Sequence, residues 1–534
     1  MADESTVKPT DEQIAQKRAE FLAQAGQAFD RMFGSDGQNG LVTFQEREDR
    51  ACQVGDELTR WLMAEHLSLD PVGGTSVERD CPICGGPVRY ESAQQAEGEL
   101  REFQTRRGKI QYRRAAARCP RCRKIFSLLD ERLALGTEGY SPAVLAKIEY
   151  AGANEVSFAQ AAQAMERLAE LPISAKHVER ITERLGSERA AERDEQVARM
   201  KAGTLSPSHR QPPQVVAIHL DAGKAQMRAD DGRPGVREPH WSDTKVASLL
   251  TYSATAGTVD PQPTPPKAFL DPPRVMRLCQ EVQQVRCDPS TRPTAAKARR
   301  PVAETVVQRP RRLVRTAVAT MEGAEAFGWM VAAEATRRGF YQAPHRAIVG
   351  DGGNWIEPLG QMHFPGWVQV LDFLHLLVHL YAAATAAYRG QGKPAWRLYE
   401  RMLRAAWSGK VQQVQAVLAE QAERLGAAPP GAKEDDPRRI VARTLAYVQK
   451  NAERMDYPRY RREGLPVTSA AVESLIKQFN QRVKGTEKFW LRGGAEAVLQ
   501  VRAAYLSDDD RGEAFHARRP RGRAVGRGRL RPAA

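Results

Sequence analysis

Four cysteines constrain this chain more than any other residues. The stretches "CPICGGPVRY" and "CPRCRKIF" pair Cys81 with Cys84 and Cys119 with Cys122, in a chain with seven cysteines among 534 residues. Each Cys-x-x-Cys pair lets two thiolates approach one ion. Two such pairs close a tetrahedral Zn²⁺ site, structural in character because no position is left open. Gly85 and Gly86 suit the tight turn after the first pair. The intervening "KIQYRRAAARC" alternates as a strand does, so residues 76–132 read as a zinc ribbon, with Arg113, Arg114, Arg118, Arg121 and Arg123 as a DNA-facing surface. So few cysteines in so long a chain do not make a disulfide framework.

One hydrophobic core does not extend over a chain of this length, so three or four domains are expected. The formal charge of +15 and pI of about 9.6 favour a polyanionic partner, nucleic acid first. No apolar run is long enough to span a bilayer and no signal peptide opens the sequence. A cytoplasmic, bacterial, nucleoid-associated protein with no membrane partner is the expectation.

Residues 1–75 read as a helical N-terminal arm of two helices, with Thr43 and Glu46 as a capping box before the second. Residues 133–195 contain "SFAQAAQAMERLAELPISAKHVERITERLG", a helix capped by Ser157, a break at Leu171-Pro172-Ile173, and a helix capped by Ser174. Ile173, Val178, Ile181 and Leu185 fall on an inward face; Lys176, His177, Arg180 and Arg184 fall outward. This is the pattern of a helix-turn-helix DNA-binding domain, whose second helix enters the major groove, and equally of a plain helical hairpin.

Strands dominate residues 212–392. "VVAIHLDAGKAQMR" reads as a strand, a tight turn at Ala222-Gly223 and a returning strand; "TKVASLLTY" is a third. A Pro/Arg-rich insertion at about 256–312 has weak periodicity and reads as mobile, with phosphate contacts. A helix, a strand ending at Asp351, and a strand running into a long helix follow. Residues 393–460 read as a helical insertion and 461–508 as the last part of the core. Residues 509–534 read as a disordered Arg-rich tail, either a DNA clamp or a plain basic terminus.

The stretch "RAIVGDGGNWI" drives an apolar strand into Asp351 and then strips away neighbouring side chains at Gly352 and Gly353. Asp221 likewise ends an apolar strand, and Glu473 lies in the first turns of a helix capped by Thr468 or Ser469. Strand ends and a helix start aim side chains rigidly. Three carboxylates meeting there suit Mg²⁺ or Mn²⁺, and a pair of such ions activates a water or a 3′-hydroxyl for attack on a phosphodiester. The two glycines would let DNA approach beside Asp351.

"HLDAGKAQ", "VGDGGNWI…FPGWVQVLDFLH" and "LPVTSAAVESLIKQFNQRVKG…FW" resemble the three catalytic blocks of bacterial DDE transposases. The ISKra-type insertion-sequence family, within a broader Mutator-like assemblage, is the one the chain resembles, from about Cys81 to Leu506. That resemblance implies a multidomain α/β chain: zinc ribbon, helix-turn-helix, then a ribonuclease H-like mixed sheet with a helical insertion before the final Glu. It makes Asp221 and Asp351 the catalytic aspartates and Glu473 the glutamate. The family's [C/D]-x-x-H element is matched by Asp372 and His375. These two join the catalytic set as residues that orient a carboxylate or touch the scissile phosphate, and are not expected to ligate metal directly; a strand-end cap and a helix-face histidine would look the same. Lys477, Arg482 and Lys484 are expected on DNA phosphates, and Trp490 on a base or in the core. Where the family often has Gly, this chain has Ala470 or Ala471. The implied partners are double-stranded DNA, as element ends and as target, and further copies of the chain in a synaptic complex. Two rival readings are a catalytically silent, domesticated DNA-binding regulator and a ribonuclease H-like nuclease or resolvase without strand transfer.

Overall fold

The computed structural model describes residues 9–34, 41–70, 77–81, 84–90, 99–114, 116–133, 135–136, 138–208, 211–228, 240–254, 256–283, 310–389, 392–485 and 488–518. They form two compact units, one of residues 1–181 with 512–534 and one of residues 182–511.

The first unit opens with helices α1 (Asp11–Phe33) and α2 (Phe44–Ser68). Both begin with capping boxes. Thr43 Oγ1 accepts the Glu46 N–H at 3.2 Å while the Glu46 carboxylate accepts the Thr43 N–H at 2.7 Å, satisfying donors the helix itself cannot. Three hairpins follow: β1 (Val77–Asp80) with β2 (Pro87–Tyr90), β3 (Glu99–Thr105) with β4 (Gly108–Arg114), and β5 (Ala117–Arg118) with β6 (Ile125–Phe126). The alternation in β4 buries Ile110 and Tyr112 against Phe103 and Leu129. Arg114 turns inward, contrary to its expected place on a DNA-facing surface. It pairs with Asp130, which also takes Arg101 and the Tyr112 hydroxyl, because a buried carboxylate needs such partners.

Helices α3 (Leu128–Arg132), α4 (Pro142–Asn154) and α5 (Phe158–Ala169) precede the long α6 (Ala175–Lys201). Ser157 caps α5 and Ser174 caps the start of α6. Between them Glu170 takes a left-handed conformation at φ 53° and ends α5. Val178, Ile181 and Leu185 are buried, and Ile173 is half-buried. Helix α6 continues to Lys201, past the expected boundary at 195, and crosses from the first unit into the second.

The tail was expected to be disordered from 509, but it begins with a helix, α17 (Arg511–Arg518). Phe515 is buried there and His516 Nε2 lies 2.7 Å from Glu149 Oε2 on α4. The apolar anchor precedes the Arg-rich composition, and that composition, residues 519–534, lies outside the described residues.

The second unit is built on one five-stranded mixed sheet in the order β11-β10-β7-β8-β9. Its strands are β7 (Val215–Met227), β8 (His240–Ser253), β9 (Arg311–Thr320), β10 (His345–Gly350) and β11 (Val368–Leu371). The first of them in sequence is the central one. β7, β10 and β11 run parallel; β8 and β9 are antiparallel. β7 contradicts the expected turn at Ala222-Gly223. It stays paired with β8 from Val215↔Tyr252 to Met227↔His240, so Asp221 sits inside a long strand. Gly223 is a site of close approach instead: a Cβ there would meet Thr244 Oγ1 at 2.7 Å and Ile476 Cγ2 at 3.7 Å, where the helix carrying Glu473 crosses the strand.

The sheet separates two cores. Val216, Ile218, Leu220 and Ile348 face α8 (Ala324–Arg337) and α9 (Ile356–His363). Val215, Ala217, Ala347, Val349 and Val370 face the other side, with α10 (Phe373–Ala387), α11 (Gly392–Trp407), α12 (Val411–Leu425) and α13 (Pro437–Lys450). The short α14 (Tyr457–Arg462), then α15 (Ala470–Val483) and α16 (Arg492–Tyr505), complete the unit.

Part of the insertion expected to be mobile is packed. Helix α7 (Pro272–Gln283) buries Val275 and Cys279 in the core with α10, the Trp407 indole donates to Gln262 O at 2.8 Å, and Arg461 pairs with Asp260 at 2.6 Å. Residues 284–309 lie outside the described set. Among the described residues no helix is long and apolar enough to cross a membrane.

Candidate metal centres and a row of acidic residues

The four cysteines meet. Sγ of Cys81 is 3.6 Å from that of Cys122 and Sγ of Cys84 is 3.6 Å from that of Cys119, with all four within 4.8 Å of one another. Thiolates at the corners of a tetrahedron around zinc, with Zn–S near 2.3 Å, stand ~3.8 Å apart, so this donor set fits that ion. The two knuckles are the same turn. Gly85 N–H donates to Cys81 O and Arg123 N–H to Cys119 O, each at 2.9 Å. Both turns need a left-handed residue, supplied by Gly85 at φ 67° and by Arg123 at φ 58°. The Cys122 N–H, 3.5 Å from Cys119 Sγ, leads the interactions that draw the Cys119 thiol down to about 6, which suits a thiolate ligand.

The acidic residues are gathered by strand register. Gly350 pairs with Leu220 on one side and with Leu371 on the other. The next residue on each of the three parallel strands is an aspartate: Asp221, Asp351 and Asp372. Adjacent strands lie ~4.8 Å apart, so the three stand side by side. Alternation puts them on the face of the sheet that carries the helical insertion. The backbone after β10 is held by Tyr447, whose hydroxyl donates to Asp351 O at 2.7 Å, and by Lys450 on Asn354 at 2.6 Å. Gly352 serves this packing, not an approaching ligand. It has φ 85°, and a Cβ there would lie 3.1–3.2 Å from Leu371, Asn451 and Tyr447. At Gly353 the nearest atoms would be those of Asp351 and Trp355.

Glu473 comes from the first turn of α15. Ser469 stands at the N-cap, yet its hydroxyl accepts no backbone N–H of the helix and instead donates to Glu473 Oε1 at 2.8 Å. The Ser469 N–H donates to Asp372 Oδ1 at 2.5 Å. Asp372 Oδ2 accepts the His375 N–H at 2.9 Å and stands 2.6 Å from His375 Nδ1. Asp372, fully buried, therefore has both oxygens engaged. It caps α10, orients His375, and through Ser469 fixes the start of the Glu473 helix.

Ligand atoms of Asp372, His375 and Glu473 lie within 4.8 Å of one another; Asp221 and Asp351 are not in that cluster. The hydrogen bonds show which oxygens already have protein donors. Asp221 Oδ1 accepts the Ala222 N–H at 2.7 Å and Asp351 Oδ1 the Gly353 N–H at 2.9 Å. Among the described residues, Oδ2 of each aspartate and Oε2 of Glu473 take no hydrogen bond. Asp221, Asp351 and Glu473 thus each have one oxygen without a protein donor among the described residues, whereas both oxygens of Asp372 are already engaged.

Electrostatics agree. Burial, then the charges of Asp351 and Glu473, push Asp221 up to about 7 despite the Ala222 N–H. Glu473 is raised by burial and by Asp372. Burial opposes charge on His375, but its bond to Asp372 and the pull of Asp372, Asp351 and Glu473 raise it to about 9. Crowded, partly desolvated carboxylates of this kind gain most from a divalent cation.

The expected DNA contacts divide. Lys176 is exposed and pairs with Glu179 at 3.0 Å; Arg180 stacks its guanidinium on His177, 3.1 Å to Nε2. Arg184 is half-buried beside Glu188. Lys477 is exposed and meets Glu281 at 3.2 Å. Lys484 is exposed, with Nζ 5.7 Å from the Trp241 ring centroid. Arg482 contradicts its assignment: it is 2% exposed and lies over the Trp490 ring, because its position on α15 faces inward. Trp490 is itself core, its indole donating to Val483 O at 2.8 Å. Sequence reasoning treated Ser469 only as a cap. Its spacing of one helical turn before Glu473 was the available signal.

In comparison with known proteins, the chain matches no family model and no curated protein.

Proposed function

We propose that the chain is a metal-dependent DNA strand-transfer enzyme, a DDE transposase of a bacterial insertion sequence with a ribonuclease H-like core. The observation that supports this reading is the alignment of Asp221 and Asp351 on neighbouring parallel strands, with Glu473 near enough for its charge to raise Asp221, and with one oxygen of each free of protein donors among the described residues. The mixed sheet with its first strand at the centre, and the helices inserted before Glu473, support the same core.

Divalent ions bound at Asp221, Asp351 and Glu473 would activate a water or 3′-hydroxyl and offset charge on the leaving oxygen. The chain's own part is positioning. The Ala222 and Gly353 N–H groups fix one oxygen of each aspartate, and Ser469 fixes Glu473. Asp372 holds His375 by Nδ1, so that an imidazolium can donate from Nε2 to a phosphate oxygen or to a neighbouring carboxylate. The zinc ribbon and the helical segment through α6 are assigned to recognition of the element's ends, and the charge of +15 to the phosphate backbone. Two ends are joined by two or more copies of the chain.

Asp351→Asn tests the reading. Cleavage of an end-containing duplex in Mg²⁺ or Mn²⁺ is expected to fall by at least ~10³-fold, with end binding in EDTA within about twofold of wild type. Retained cleavage would remove Asp351 from the mechanism. Cleavage by the wild type without joining of the freed 3′-end would favour a nuclease or resolvase instead.

A further inference from the structure

Beyond Leu220 the central strand outlasts its parallel neighbour. β10 stops at Gly350, whereas β7 continues to Met227. The chain after α15 takes the vacated edge. The Trp490 N–H donates to Gln226 O at 3.0 Å and the Arg228 N–H to Trp490 O at 2.8 Å, with Trp490 bridging Met227 in parallel. On the opposite edge Gln226 pairs with Trp241. The backbones at Trp241 and at Trp490 therefore lie one strand spacing to either side of β7, about 10 Å apart.

Side chains here sort sharply. Trp490 turns inward at 8% exposure, but Phe489 stays 50% exposed and Trp241 42%. Lys484, at the end of the Glu473 helix, sets its Nζ over the Trp241 ring, and the Arg228 side chain is exposed nearby. Among the described residues, Asp243 on the same strand is paired with Lys224 at 3.3 Å and Lys245 at 3.4 Å. Large aromatics left in water beside cations are costly in a fold that has ample core. They match one ligand chemistry well: aromatic faces take bases of any sequence, while lysine and arginine take the phosphates between them.

We propose that Trp241 and Phe489 form a stacking platform for unpaired bases of a DNA strand. The proposal rests on the strand-transfer reading for its ligand, DNA with an unpaired strand; Trp241 pairs with Gln226, on the sheet face opposite that of Asp221, so the platform is a contact separate from the acidic row.

The test is binding of a short single-stranded oligonucleotide to the full chain in EDTA, where no metal-dependent cutting can contribute. Trp241→Ala is expected to weaken binding about tenfold, Phe489→Ala to weaken it by a similar factor, and Trp241→Phe to remain close to wild type. Affinity for a blunt duplex should not change in any of them, and melting curves should overlay because both rings are solvent-exposed. Oligonucleotide-induced quenching of tryptophan fluorescence should shrink in Trp241→Ala. Unchanged single-strand affinity in Trp241→Ala, or an equal loss on the duplex, overturns the platform. The two readings separate cleanly. If wild type shows the single-strand preference and its loss in Trp241→Ala, but never cuts DNA in Mn²⁺, the platform stands and the strand-transfer reading fails.

Discussion

Two groups of buried carboxylates in the second unit have opposite electrostatics. Around α8, Glu334 receives Arg337 at 2.7 Å and Arg511 at 2.8 Å, while Asp509 receives Arg511, Arg337 and the Thr316 hydroxyl. Burial would raise both acids, but Arg511 and Arg337 override it, and each is held down to about 2. Within β7 and just past the end of β10, burial and like charges act together and Asp221 rises to about 7. The first cluster carries its own counter-charge and is complete. The second is crowded with negative charge that, among the described residues, the Ala222 N–H, the Ser469 hydroxyl, His375 and Lys477 temper. Burial alone does not mark a functional carboxylate; an unbalanced charge in an otherwise ordered site does.

The contrast can be broken in three experiments of decreasing size. Glu334→Gln leaves Arg337 and Arg511 short of a buried counter-charge and should cost about 3–5 kcal/mol in urea denaturation. A cost under about 0.5 kcal/mol would show that the cluster is not holding the fold. The same acids set the acid limit. Their folded values lie below the ordinary 4.5 and 3.8, so their contribution is complete above those values and drains as pH falls towards 2. In EDTA the expected profile is a melting temperature that rises modestly from pH 7 to 5, as the raised Asp221 takes its proton, and then falls steeply below about pH 4 as Glu334 and Asp509 lose their charge.

Asp221→Asn should act with the opposite sign. Removing one of several repelling charges should stabilise the metal-free chain by about 1–3 kcal/mol. Mn²⁺ should then raise the melting temperature of wild type but not of the variant. Destabilisation in EDTA would mean that Asp221 already has its counter-charge, and the contrast would fail.

The smallest effect concerns the two zinc knuckles. Arg123 adopts the left-handed conformation that Gly85 provides in the other knuckle, so Arg123→Gly should be worth up to about 1 kcal/mol. Slower zinc release to a chelator would register it; faster release would mean that the arginine side chain contributes more than its backbone costs.

Much of the molecule was legible in the sequence because its causes are local. A Cys-x-x-Cys turn, a Thr-x-x-Glu box and a serine before a helix each act within a few residues, and Cys81, Cys84, Cys119, Cys122, Thr43, Ser157 and Ser174 could be read without knowing what lies opposite. Gly223 misled for the same reason. Glycine after an aspartate looks like a turn until a crossing helix supplies Ile476 as the reason for the missing side chain. Arg482 and Lys484 differ by two positions and by whether their face of α15 meets the sheet, which depends on how the helix is docked. The insertion's described part needed distant helices to hold it: Trp407 and Arg461 on Gln262 and Asp260, and the core around α10 for Val275 and Cys279 of α7.

The sequence by itself determined the two cysteine knuckles, the helix starts, and which strands run into an acidic residue. These follow from spacing and short-range hydrogen bonds. Only the tertiary structure decided that Gly350 pairs with both Leu220 and Leu371, which sets Asp221, Asp351 and Asp372 in one row, and that Asp372 spends both oxygens on protein donors while the other two keep one each. Register is a relation between strands distant in the chain, fixed by packing on both faces of the sheet, and no local pattern encodes it.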